Sequence, residues 1–245
     1  EPMTISRIRI ALALAAGLLL TACATRPPQQ SFNREAHADI HRIEVLTMPQ
    51  ANVRLHVANH PGYSFGLIGT LITEANREGK EDWLQETVRK VGFNQFETLR
   101  ATLDAEMREK GYELIWPDPL TDSDKRIKRD DWARRKAHRP GQADALLDIG
   151  FMYVGYAAAG SGKGEPYRPT VQMAVRLLAA DGKTVLFTDQ IRYHNVLADA
   201  QAIIIEPDPT YAYPKFDDLK ATGESSIEGL RIAVEETART LAKQF

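Results

Sequence analysis

Gly62-Tyr63-Ser64-Phe65-Gly66 has the G-x-S-x-G spacing of a nucleophile elbow. Such an elbow stands a serine hydroxyl above a sheet, where a histidine takes its proton and backbone amides hold an oxyanion. The segment falls between a predicted strand and a predicted helix, as that chemistry requires. Four features oppose it. Asn59-His60-Pro61 interrupts the approach, and Pro61 ends the strand. Only about thirty folded residues precede the serine, where esterases of this kind place several βα units. No histidine-glycine oxyanion segment comes before it, and neither His138 nor His194 stands in a triad context. The competing reading makes Ser64 a helix cap and uses the glycines for close packing. A serine hydrolase using Ser64 is therefore an alternative, and the preferred reading is non-catalytic.

Gly62, Gly66 and Gly69 also form a small-residue face of the G-x-x-x-G kind, with Leu67 beside it. The apolar run from Tyr63 to Thr73, at about eleven residues, is too short to span a bilayer. A helix packed on a sheet is the expected use, with membrane contact or self-association through Gly62, Gly66, Leu67 and Gly69 as the functional one. His37 with His41, and His56 with His60, have metal-ligand spacing, but no third ligand is placed to join either pair, so no metal is expected. Residues 125–139, KRIKRDDWARRKAHR, carry eight Lys/Arg against two Asp. They read as a helix starting after Ser123, either a solvated face or a basic patch in which Arg134 and Arg135 meet anionic lipid. The run AAAGSGKG at 157–164 lacks the leading glycine and the Ser/Thr of a phosphate loop, so it reads as a hairpin loop and no cofactor is expected.

Across the whole chain Lys+Arg number 31 and Asp+Glu 33, a net charge of −2 that argues against a nucleic-acid partner. Arg7 and Arg9 precede an apolar run, Ile10 to Leu20, in the order of a secretory signal. Eleven apolar residues cover ~16 Å of helix against a hydrocarbon core of ~30 Å, so the segment is made to be cut. Leu20-Thr21-Ala22-Cys23 resembles the lipobox of bacterial lipoproteins. That resemblance implies cleavage before Cys23, acylation of its thiol and a third chain on its amino group. Several acyl chains at ~0.8 kcal/mol per buried CH₂ hold a protein on a membrane almost permanently. Ala24, a residue other than aspartate, implies transfer to the outer membrane. Cys23 is the only cysteine, so no disulfide forms within the mature chain.

The organisation expected is a signal peptide over residues 1–22, a lipidated cysteine and tether over 23–35, and one α+β periplasmic domain over 36–245. The tether, polar with two prolines, reaches at most ~40 Å. Alternation marks strands at 42–48 and 52–58, broken by Pro49. Helical spacing follows from Phe65 to Ala75 with Gly79 as its stop, then from about Asp82 to Lys110 with a break near Gly92 and the stripe Phe96, Leu99, Leu103, Met107. A strand at Tyr112–Trp116 precedes Pro117. Residues 143–195 read as a three-strand antiparallel meander. Its first strand alternates Leu147, Ile149, Phe151 and Tyr153, and Asp181-Gly182 supplies positive φ for a tight turn between the last two strands. A capping box, Ser225 with Glu228, opens a terminal amphipathic helix whose stripe is Ile227, Leu230, Val234, Thr237, Ala238 and Leu241. The fold class is α+β, a mostly antiparallel sheet packed by helices.

The run from His60 to Gly69, with the hairpin meander behind it, resembles a set of proteobacterial envelope lipoproteins with an HPGxSFGLIG segment. The resemblance implies location and no activity. The function expected is that of an outer-membrane lipoprotein facing the periplasm. It would bind an envelope protein partner or a second copy through a sheet edge or the 60–73 region. A carrier of lipid or another apolar ligand is the remaining alternative.

Overall fold

The computed structural model describes residues 29–59, 66–126, 143–161, 164–194, 196 and 201–245, with the backbone alone over 66–75 and 123–126. Its strands are β1 (Arg42–Val45), β2 (Met48–Gln50), β3 (Arg54–Asn59), β4 (Glu113–Ile115), β5 (Thr121–Arg126), β6 (Ala145–Gly160), β7 (Arg168–Ala179), β8 (Val185–Tyr193) and β9 (Ile203–Ile205). Its α-helices are α1 (Gly66–Val91), α2 (Gln95–Glu109), α3 (Phe216–Thr222) and α4 (Ser226–Ala242).

The long pairings, β6 with β7 and β7 with β8, are antiparallel and make the expected meander. Short strands flank it in the order β4-β1-β6-β7-β8-β9, and β3 pairs the far half of β6 beyond β1. These outer joints are parallel, β1 to both β4 and β6, β3 to β6 and β9 to β8. A separate parallel pair is made by β2 and β5. The class is α+β, with the C-terminal helix packed on the sheet.

One face of the sheet holds Leu147, Ile149, Phe151, Val175, Leu177, Phe187 and Ile191, and all are buried in one cluster with the helix stripes. Every residue of the α2 stripe is buried, and every residue of the α4 stripe. Full burial of such side chains is worth ~1.5–3 kcal/mol each, so this layer holds the fold without a disulfide. Tyr156 ties the layers together from within, its hydroxyl donating to Ser226 O at 2.7 Å.

The structure departs from the sequence reading in several places. Gly79 does not end a helix: α1 runs for 26 residues through it. The stop is Gly92, at φ 70°, where Gly92 N–H donates to Arg89 O and Phe93 N–H to Val88 O, the paired bonds of a Schellman cap. A glycine that packs against nothing costs a helix only ~1 kcal/mol, which flanking burial outweighs. Asn94 then caps α2, its side chain accepting from Phe96 N and Glu97 N. The Ser225 capping box does not form. The chain enters α4 from a 3₁₀ turn that leaves Ser225 already helical, and Glu228 pairs instead with Arg231 at 3.1 Å. In the β7–β8 turn only Gly182 has positive φ, and Asp181 closes the loop by accepting from Lys183 N and Thr184 N. Ser123 lies inside β5, so no helix begins there. A bulge between Phe151 and Tyr153 turns Tyr153 away from the core face on which strict alternation would keep it.

The largest difference concerns the tether. Gln30 bridges Thr188 through two backbone bonds of 2.9 and 3.0 Å, and Gln29 Nε2 donates to Asp189 Oδ1 at 2.9 Å. Phe32 packs on the C-terminal Phe245 at 5.2 Å between ring centroids, and Arg34 donates to Lys110 O. From Gln29 the segment is therefore part of the body. The expectation of a free leash through residue 35 fails because Phe32 has a ring cluster to join.

Candidate functional site

Toward its β3 end, the second face of the sheet is polar. Cross-strand register places Arg54, His56, Tyr153, Ala157, Arg168, Thr170, Gln172, Arg192 and His194 on it. At the β3 end this face carries a groove of about 250 Å³, whose lining includes Arg54, Leu55, Met152, Tyr153, Ala157 and Gln172. Arg77 and Glu81 reach it from α1, paired with each other at 2.7 Å. Gly155 lets β3 lie this close, since a Cβ there would overlap the Arg54 carbonyl. The Arg54 guanidinium sits 5.2 Å from the centre of the Tyr153 ring, and its Nη2 donates to Met152 O. The Tyr153 hydroxyl donates toward Tyr156 O (2.9 Å) and Arg54 O (3.2 Å), and burial pushes its pKa well up, so it serves as a neutral donor.

In the groove wall, Thr170 Oγ1 lies 2.8 Å from His194 Nδ1. His194 is buried and holds φ at 66°, an unusual backbone for a residue other than glycine. Burial, and then the nearby Arg168 charge, push its pKa down from 6.5 to about 4. The imidazole is thus neutral at pH 7. The unfolded chain takes up a proton near pH 6.5 that the native state refuses until about 4, so stability present above pH 6.5 is lost as pH falls through that window. His194→Asn, which keeps a side chain tolerant of positive φ, is expected to flatten this acid limb in urea titrations at pH 7 and 4.5. An unchanged limb would assign the acid sensitivity elsewhere.

A second groove, of about 600 Å³, opens at the β4 edge between Tyr112–Trp116 and Arg100, Asp104 and Arg108 of α2. Glu113 N–H donates to His41 O, so by strand alternation the N–H and C=O of Leu114 point out of the sheet into this opening. Arg100 lies over the Trp116 ring at 5.9 Å, and Arg108 pairs with Asp104 at 2.6 Å. The opposite edge is different. Gln30 closes the first half of β8 and β9 the second.

Of the residues singled out in the sequence, Cys23, Gly62, Ser64, Arg134 and Arg135 lie outside the described residues, as do His60 and His138. Gly66, Leu67 and Gly69 form the first turn of α1. His37 stacks on Phe32, and the His41 N–H donates to Asp144. His56 lies in the groove. Among the described residues, no three His, Cys, Asp or Glu stand together as a metal site. His194 is the candidate base that can be placed, and its Nδ1 is engaged by Thr170. Sequence reasoning missed Arg54, Arg77 and Arg168. One signal was available for the last, since Arg168, Thr170 and Gln172 alternate polar side chains through an otherwise apolar strand.

No family model matches the chain, and no curated protein does either. In three dimensions it aligns with the crystal structure of lipoprotein GNA1162 from Neisseria meningitidis at 16% sequence identity and a TM-score of 0.28, over 65% of this chain and 88% of that one.

Proposed function

We propose that the protein is a lipoprotein of the bacterial envelope, anchored in the outer membrane through acyl chains on Cys23 and facing the periplasm. There it acts without catalysis, by holding an extended segment of another envelope protein against the β4 edge. The observation that carries this reading is the asymmetry of the sheet. One edge is closed by the chain's own N-terminal segment and β9, while among the described residues the three-residue β4 at the other stands bare beside a helix. An unpaired strand edge is a template for strand addition. Leu114 offers the backbone donor and acceptor, and Arg100 over Trp116 offers a cationic and apolar wall. No described helix is long and apolar enough to cross a membrane, so the lipid is the attachment this reading assigns.

A photo-crosslinking residue at Glu113, which is exposed, tests it in intact cells. A discrete adduct with an envelope protein is expected, reduced by Arg100→Glu and missing when the same residue sits at Lys183 in the β7–β8 turn. Equal labelling at the two positions would discard strand addition at β4.

A further inference from the structure

We propose that the groove at the β3 end of the sheet binds a phosphate monoester on a compact apolar body. Four guanidiniums belong to this region of the polar face, one of them Arg192, which stands across from the lining residue Gln172. Arg54 and Arg77 line the groove, and Arg168 stands directly across from the lining residue Ala157. Against them stands one lining carboxylate, Glu81, already joined to Arg77. The lining itself carries an excess of one positive charge, and Arg168 and Arg192 beside it add the charge that a phosphate dianion would match. Planar guanidinium forks match its oxygens better than any ammonium would.

Two observations argue that these cations serve a ligand rather than only the fold. Arg168 Nε is buried with no hydrogen-bond partner among the described residues. A buried donor left unmade costs ~1–3 kcal/mol, which an accepting oxygen would recover. Arg54 is held over the Tyr153 ring, which fixes the guanidinium plane at the groove mouth before any ligand arrives. Leu55, Met152 and Ala157 supply an apolar floor. At about 250 Å³ the groove lies just below the ~300–1,000 Å³ typical of drug-sized ligands, so the body it takes is small. His194 contributes no charge, since it is neutral at pH 7; through Thr170 it braces the strand that carries Arg168.

The same phosphate chemistry is presented by a soluble metabolite-like ester and by a lipid headgroup. Titration calorimetry on the full chain in detergent micelles separates them, with phenyl phosphate as one probe and water-soluble dihexanoyl phosphatidate as the other. Saturable binding of at least one probe is expected at pH 7.5, weaker by about ten-fold or more in Arg54→Gln, whose exposed side chain can be changed without touching the core. Arg168→Gln is expected to weaken binding likewise, its folding checked by thermal melting. Binding should also weaken at pH 5.5, where the monoester carries one proton more. Preference for phenyl phosphate identifies a soluble ligand, and preference for the phosphatidate a headgroup. No binding of either probe, or affinity unchanged in Arg54→Gln, overturns the proposal. The groove is on β3 and the strand edge on β4, so failure here leaves the edge reading untouched.

Discussion

Asp148→Ala is expected to lower folding stability by about 3–5 kcal/mol in urea or guanidinium unfolding. Asp148 Oδ2 accepts from Arg176 Nε at 3.0 Å, with side-chain exposures of 0% and 9%. Removing the carboxylate takes the anion bonded to Nε away from a guanidinium on a desolvated face of the sheet, and that loss sets the cost. The double variant Asp148→Leu with Arg176→Met is expected to recover most of the loss. It removes both charges and extends the small apolar cluster of Leu46, Leu146 and Leu178 on the same face. If Asp148→Ala alone costs less than about 1 kcal/mol, Arg176 has water within reach and the pair is not closed.

Cys23→Ser is expected to move the protein from the membrane pellet to the soluble fraction and to abolish incorporation of labelled palmitate. Lipidation supplies ~0.8 kcal/mol per buried CH₂, far beyond what a few basic side chains near a leaflet can replace at ~1 kcal/mol each. The structure sharpens this expectation geometrically. Since the chain is bound to the body from Gln29, the leash from Cys23 reaches at most ~20 Å, about half of what a free tether through residue 35 would allow. A serine variant that stays in the pellet after a carbonate wash would show that Cys23 is not the anchor.

What could be read from the sequence follows from how burial works. The stripes Phe96, Leu99, Leu103, Met107 and Ile227, Leu230, Val234 were legible because each helix buries one face and exposes the other. The meander was legible for the same reason at period two. Gly79 was misread because a glycine's meaning depends on whether packing continues past it. Tyr153 was misread because a single bulge reverses the parity of everything after it. Ser225 and Glu228 have the right types and spacing, but the preceding turn had already set the backbone. The groove was not legible at all. Arg54, Arg77 and Arg168 come from three distant stretches, and it takes the pairing of β3 and β7 to opposite sides of β6, with α1 reaching over β3, to bring them together. His56 was singled out for a metal pair, and its place beside these arginines gives it another setting.

The two ends of the described chain share one joint. Phe245 lies against Phe32, Tyr112 and Phe187, and Gln30 lies along β8 a few residues away. A pull on the chain ahead of Gln29 would load the Gln30–Thr188 bonds before it reached the core. Phe245 would resist it as part of the same clasp. On the lipid-anchor reading, tension would pass to the sheet edge and the end of α4 together.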